Sequence, residues 1–185
     1  MKNVMEYVEK ALSRAQDMDV EYIVFGSGPA KSVPNGFPME EGYSQIVTLL
    51  KQVNEAAKAK GITIVIEPLR KAECNLINTF KEGCQLARDT KGSNIKVLVD
   101  FYHLSVEEEP VSNLVSEGQT YLRHVHFANP KGRVYPENLE AGSYESFISA
   151  LKAIGYDNRI SCEAYTNNYD ISAPKTLEFL RDKFD

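Results

Sequence analysis

The sequence predicts an α/β fold built on a parallel sheet, and three observations carry that prediction. Short aliphatic runs alternate regularly with segments of helical spacing. Two of those runs, residues 62–66 (ITIVI) and 95–99 (IKVLV), are rich in β-branched residues and nearly unbroken, as strands covered on both faces are. Polar side chains of metal-binding type fall at the carboxyl end of one strand after another.

The elements follow in order. From Met1 to Met18, Val4, Val8, Ala11, Leu12 and Ala15 keep helical spacing. The stretch VEYIVFGSGP then reads as a strand broken at Gly26-Ser27-Gly28-Pro29. Ile46, Leu49, Leu50 and Val53 share one helical face, and Gly61 stops that helix. The strand ITIVIE comes next. Thr79 and Glu82 have the spacing of a capping box, opening a helix that runs to about Thr90. IKVLVD is a strand ending at Asp100, followed by a polar helix near 111–118 and the strand YLRHVHFA. Ser143 to Ile154 is amphipathic, with Tyr144, Phe147, Leu151 and Ile154 on one side and Gly155 closing it. RISCEAY is the last strand, and a final helix begins at about Ala173.

One helix followed by five βα units implies parallel strands with right-handed crossovers. Two architectures satisfy that pattern: an open doubly wound sheet, or part of a (β/α)8 barrel. In both, ligands gather at the carboxyl ends of the strands.

Composition bounds the function. A chain of 185 residues, 43% hydrophobic and 25% charged, reads as a single domain over 1–185 with a substantial core. A net charge of −5 argues against a nucleic-acid partner, because phosphates call for a basic face. No apolar run approaches the length of about 20 residues that spans a membrane, and no signal peptide is present. Cys74, Cys84 and Cys162 form no CxxC pair and leave one odd thiol, which fits a reduced, cytoplasmic chain. Glu107, Glu108 and Glu109, ahead of Pro110, read as a solvated loop.

The polar strand ends are the informative feature. ITIVI ends in Glu67; KVLV ends in Asp100, with His103 three residues on; LRHVH ends in His126; RISC ends in Glu163. Singly, each carboxylate reads as a loop residue or a helix cap, and each histidine as structural. Jointly they do not. In a barrel the four ends converge on one axis, whereas an open sheet spreads them over roughly 14 Å, too far for one ion. Carboxylates with one imidazole suit a divalent metal: Mn²⁺ first, with Mg²⁺, Co²⁺ or Zn²⁺ as alternatives. His124 and His126 lie on the same side by period 2, so position alone does not separate them; His126 is nearer the strand end.

Other candidates are weaker. Gly26-Ser27-Gly28 lacks the third glycine of a dinucleotide fingerprint and reads as a plain loop. Cys162 reads as an inert core thiol inside a strand. Arg133 and Lys131 follow a strand end and could meet an anionic or hydroxyl-rich ligand, and Glu73 stands six residues past Glu67.

The chain resembles the sugar phosphate isomerase/epimerase family with a xylose isomerase-like barrel, especially its ketose 3-epimerase branch. The matching pieces are FGSGPAKSVPNGF, IEPLRKAECNLINT, VDFYHL, HVHFANPKGR and ISCEAY, which span about residues 20 to 166. The resemblance implies that Glu67, Asp100, His126 and Glu163 hold one divalent metal and that Glu67 and Glu163 are also the acid/base pair. It implies that Glu73, His103 and Arg133 hold substrate oxygens, and that the partner is a small-molecule sugar. The chemistry would be proton transfer next to a ketose carbonyl through an enediolate, with a base on each face of the carbon and a Lewis acid on its oxygens. A nuclease of the same barrel superfamily would want more ligands and a basic groove.

Two departures from the family pattern stand out. Asn129-Pro130 occupies a loop where the family often carries Asp, which leaves substrate choice open. Five strands are present where a complete barrel of about 250 residues has eight. By the resemblance, VEYIVF matches the fourth strand, the first three βα units are absent, and the initial helix looks like the third helix of the barrel. An incomplete barrel exposes two sheet edges. A homo-oligomer covering those edges is therefore expected, and a stable monomer in sedimentation would refute it. The same incompleteness allows a rival expectation, an inactive barrel that serves in binding or assembly.

Overall fold

A computed structural model describes residues 2–136 and 144–184. The elements are α1 (Lys2–Asp17), β1 (Tyr22–Phe25), α2 (Gly28–Lys31), α3 (Met39–Lys58), β2 (Thr63–Ile66), α4 (Phe80–Thr90), β3 (Ile95–Asp100), α5 (Phe101–Val106), α6 (Ser112–Tyr121), β4 (Leu122–His126), α7 (Tyr144–Ala153), β5 (Ile160–Ser161) and α8 (Tyr169–Phe184). The alternation expected from the sequence is present. Among the described residues, no helix is long and apolar enough to cross a membrane.

All four strand pairings are parallel, and the spatial order is β1-β2-β3-β4-β5. That order separates the two architectures. A doubly wound sheet reverses its strand order at a switch point. Here sequence order and spatial order never diverge, as in successive staves of a barrel, and the five strands form a half-barrel. β1 and β5 are the outer strands, each bonded to one neighbour in the described sheet.

The core lies between sheet and helices. Ile64 and Ile66 of β2 and Val97 and Val99 of β3 pack with Leu50, Val53 and Ala57 of α3 and Cys84, Leu86 and Ala87 of α4. A second focus is aromatic. Phe127 is fully buried directly after β4, its ring 5.2 Å from Phe101, 5.3 Å from Tyr144 and 5.9 Å from Phe147. This cluster anchors the carboxyl end of β4, where His126 sits.

Helix boundaries follow local chemistry. Thr79 forms the capping box in full: its hydroxyl accepts from the Glu82 N–H, and the Glu82 carboxylate accepts from the Thr79 N–H at 3.0 Å. Lys91 closes α4 in the left-handed region at φ 55°. For α7, the expected start at Ser143 lies outside the described residues.

Three sequence expectations need correction. RISCEAY was expected to be one strand, but only Ile160 and Ser161 pair with β4; Glu163 follows in irregular chain. An outer strand has a ladder on one side only, so little holds it extended once β4 ends. The final helix starts at Tyr169, not Ala173, and carries Pro174 in its second turn, where the proline cannot donate to the Asp170 carbonyl. Glu109 is not solvated. It is buried, and its carboxylate accepts from the N–H of Phe80 at 2.7 Å and of Lys81 at 3.2 Å, capping α4 from a distant loop.

Candidate metal centre

Register positions the site before any side chain is considered. At the start of the β3–β4 ladder Val97 pairs with Leu122, but the next pair is Leu98 with His124. Arg123 is the extra residue, a bulge. Because of it, Asp100 pairs with His126. An unbroken ladder would set Val125 beside Asp100 and turn His126 to the other face, since one step of register exchanges the faces. The bulge therefore brings carboxylate and imidazole to the same rim.

Four of the expected residues meet there. Glu67, Asp100, His126 and Glu163 each offer one donor atom, and these atoms all lie within 4.8 Å of one another. They come from the ends of β2, β3 and β4 and from the chain just beyond β5. His126 Nδ1 donates to Glu67 Oε1 and to Glu163 Oε2, both at 2.9 Å. Asp100 caps α5, its Oδ1 accepting from the Tyr102 N–H at 2.8 Å, while Oδ2 faces Arg133 Nη2 at 3.3 Å. Arg133 also reaches Glu163 Oε2 at 3.1 Å.

The electrostatics record crowded negative charge. Burial pushes the Asp100 carboxyl up to about 6, and the neighbouring Glu67 pushes the same way, against the Tyr102 N–H and Arg133. Burial works against a charged His126, but its hydrogen bonds to Glu163 and Glu67 outweigh that and hold it up at about 9. The hydrogen bond from His126 lowers Glu163, helped by Arg133 and opposed by partial burial. Three carboxylates around one imidazole make a donor set that calls for positive charge, and its oxygen-rich composition suits a hard or borderline divalent cation. The residues present fit such an ion.

The other expected residues lie around this group. His103 is buried. Its Nδ1 accepts from the Arg70 N–H at 3.2 Å, which leaves the ring proton on Nε2, 3.6 Å from Asp100 Oδ2. Burial and the nearby Arg133 push His103 below the ordinary histidine value. Glu73 is outside the four-donor group and pairs with Arg70 Nε at 2.6 Å. Arg133 extends from a tight turn in which Asn129 and Val134 form an antiparallel bridge, with Gly132 at φ 82° and Arg133 itself at φ 50°. A left-handed arginine stores about 1–2 kcal/mol of backbone strain. The turn spends it on aiming the guanidinium at Asp100 and over the Tyr102 ring, 5.0 Å from its centroid. Lys131 is exposed on that turn. Of the two candidate histidines, His126 enters the group. His124 lies two pairs back, its Nε2 3.0 Å from Ser161 Oγ, and burial pushes it down to about 4. Burial raises the Cys162 thiol to about 11, in keeping with an inert thiol.

Several supporting residues carried no sequence signal of their own. Asn75 pairs with both backbone groups of Val33, at 2.8 and 2.9 Å, tying the loop after β2 to the loop after β1. Asn78 donates to the carbonyls of Leu69 at 2.7 Å and Cys74 at 2.6 Å, closing the loop that carries Glu67 and Glu73. Lys31 is buried and donates to the Glu67 carbonyl. Gly26, read from the sequence as part of a plain loop, lies against the Glu67 carboxylate. The E-x-N-L-x-N-T spacing could have flagged the two asparagines as loop ties, since Asn side chains pair readily with backbone.

The family model that matches this chain, over residues 2–183, is the xylose isomerase-like TIM barrel. L-ribulose 3-epimerase of Mesorhizobium japonicum is 28% identical over 131 residues, covering 70% of this chain and 43% of that protein. D-psicose 3-epimerase of Ruminiclostridium cellulolyticum is 25% identical over 171 residues, covering 89% and 56%. The crystal structure of D-psicose 3-epimerase with D-tagatose from Clostridium cellulolyticum H10 superposes with a TM-score of 0.87 at 21% identity, covering 100% of this chain and 71% of that chain. At that identity the superposition speaks for the fold alone. The chain spans about half the length of the curated relatives it matches. On the extent of the family match and the half-barrel architecture, the chain belongs to the xylose isomerase-like TIM barrel family.

Proposed function

We propose that the chain supplies the metal centre and proton-transfer residues of a sugar isomerase/epimerase acting on a ketose. The observation that carries the reading is the meeting of Glu67, Asp100, His126 and Glu163 within 4.8 Å. These four would hold one divalent ion, Mn²⁺ first, with Mg²⁺, Co²⁺ or Zn²⁺ as alternatives. A bound ion would supply Lewis-acid stabilisation for negative charge developing on the substrate oxygens.

The chain's own residues account for the rest. One of Glu67 and Glu163 removes the proton from the carbon beside the carbonyl, and the other returns a proton to the opposite face. The net change is inversion at one carbon, with no oxidant or reductant. His126 lies between the two carboxylates, its Nδ1 2.9 Å from each, and a bound ion would take the place of the proton that Nδ1 donates to them. Arg133 bonds to Asp100 and Glu163 with one nitrogen, and its remaining N–H groups can meet a substrate hydroxyl or carbonyl. Glu73 and His103 are the further candidates for holding substrate oxygens. The likeness to L-ribulose and D-psicose 3-epimerases supports a ketose as substrate class.

A second reading, a metal-binding protein without turnover, is favoured by one observation. The Glu163 side chain is 51% exposed and follows a two-residue strand, so half of the acid/base pair is loosely backed. One experiment separates the readings. The full chain is loaded with Mn²⁺ and incubated in D₂O with a ketose panel that includes L-ribulose and D-psicose. Deuterium entering the substrate supports the enzyme. It should vanish in Glu67→Gln and in Glu163→Gln while both still bind Mn²⁺, and exchange persisting in either variant overturns the paired-base chemistry. Mn²⁺ bound without any exchange supports the second reading, and no binding at millimolar Mn²⁺ removes both.

A further inference from the structure

We infer that Lys31, the last residue of α2, and Gly26, between β1 and α2, are positioning residues that fix the Glu67 carboxylate for metal binding. The inference rests on the metal reading above.

Lys31 grips the backbone of Glu67. It is 2% exposed, and its ammonium donates to the Glu67 carbonyl and, at 3.3 Å, to the Phe25 carbonyl. Those carbonyls stand at the carboxyl ends of β2 and β1. The Phe25 carbonyl also accepts from the Glu67 N–H at 3.2 Å. Both backbone groups of Glu67 are thus held, and one side chain joins the two strand ends. Among the described residues, Lys31 forms no ion pair with a carboxylate. A buried ammonium satisfied by carbonyls alone is an unfavourable way to fill space, and an apolar side chain of similar length would fill it better. What Lys31 adds is direction: it fixes where Glu67 leaves the strand.

Gly26 shapes the space for the carboxylate itself. A Cβ at position 26 would lie 2.1 Å from Glu67 Oε2 and 3.3 Å from the carboxyl carbon. Gly26 is not in the left-handed region, so the glycine is required for room and not for backbone freedom. One Glu67 oxygen is therefore bonded to His126 at 2.9 Å, and the other is seated against Gly26. The atom that an alanine would strike is the end of a side chain, so the fold can absorb the substitution by turning the carboxylate away. The metal site cannot.

The test is Mn²⁺ binding to the full chain, followed by calorimetric titration and by electron paramagnetic resonance. It uses Lys31→Met, Gly26→Ala, Glu67→Ala and the double variant Lys31→Met/Glu67→Ala. Residues that orient a metal ligand typically change affinity by about 10–100-fold. Lys31→Met and Gly26→Ala should each weaken Mn²⁺ within that range and alter the Mn²⁺ spectrum, while unfolding in chelator stays cooperative. With Glu67 already removed, Lys31→Met should change affinity by less than about twofold, because the route through which it acts is gone. Undiminished affinity and an unchanged spectrum in both single variants would overturn the inference. So would an equal loss from Lys31→Met in the presence and absence of Glu67. An unmutated chain that binds no Mn²⁺ at millimolar concentration overturns the metal reading itself, and this inference with it.

Discussion

Arg133 Nη2 stands 3.3 Å from Asp100 Oδ2, a contact between a guanidinium in a left-handed turn and a carboxylate at the end of β3. The Asp100 side chain is fully shielded from solvent, and Arg133 offsets its charge at a point where Glu67 adds more of the same sign. Removing one partner of such a pair leaves an uncompensated charge in a low-dielectric setting.

The first prediction concerns that contact. Arg133→Met should destabilise the metal-free chain by about 3 kcal/mol, the order expected for a broken buried pair. Added Mn²⁺ should recover most of the loss, because a cation at the four-donor group would replace the missing positive charge. Thermal unfolding in chelator and in Mn²⁺ measures both effects. A loss of the same size in both conditions would show that the arginine acts by packing on Tyr102 and not by charge.

A second prediction concerns Glu109. Its carboxylate takes two N–H groups at the start of α4 and also accepts from Asn113 Nδ2 at 3.0 Å. Glu109→Ala should cost about 1–3 kcal/mol, combining unmet helix donors with the loss of an anion at the positive end of a helix. Urea unfolding should show a lower midpoint at unchanged slope. A midpoint within error of the unmutated chain would mean that water replaces the carboxylate at no cost.

A third concerns pH. Tyr43 Oη donates to Asp89 Oδ2 at 2.7 Å, and this bond, with one from Gln85, holds the Asp89 carboxyl below its ordinary value. A carboxyl whose folded value is depressed adds stability that is present above its unfolded value and fades as pH falls through the folded one. The destabilisation caused by Tyr43→Phe should therefore be larger at about pH 7 than at about pH 2, because the contribution of the bond fades as Asp89 takes up its proton. Urea titrations of both chains at the two pH values check the sign. Equal differences at both would assign the effect of Tyr43 to packing alone.

Local features were legible in the sequence, and features set by pairing between distant segments were not. Thr79 and Glu82 define a cap within four residues, so the spacing alone placed the start of α4. The strand end at Asp100 was equally plain, because a run of buried aliphatic residues stops there. Glu109 was misread because the N–H groups it caps lie at Phe80 and Lys81, far back in the chain. RISCEAY has strand propensity throughout, yet pairing with β4 ends at Ser161, and propensity does not outlast the ladder that uses it. Lys31 carried no signal, since a lysine is ordinarily solvated. Of the candidate site, the four donors could be listed from strand ends, and nearness to the strand end favoured His126 over His124. The Arg123 bulge, which turns both histidines to the rim face, carried no such signal.

The bulge has a consequence for how such a centre is gained or lost. Its chemistry depends on residue count as much as on residue type. Dropping Arg123 would remove the bulge and leave Asp100 against His126. Dropping Val125, two steps further on, would instead set His126 against Val99 and swing the imidazole toward the helical layer, with every donor still in the sequence. A lineage could silence the rim with a single codon deletion and reopen it with a single insertion, while aligned sequences went on displaying the full set of ligands.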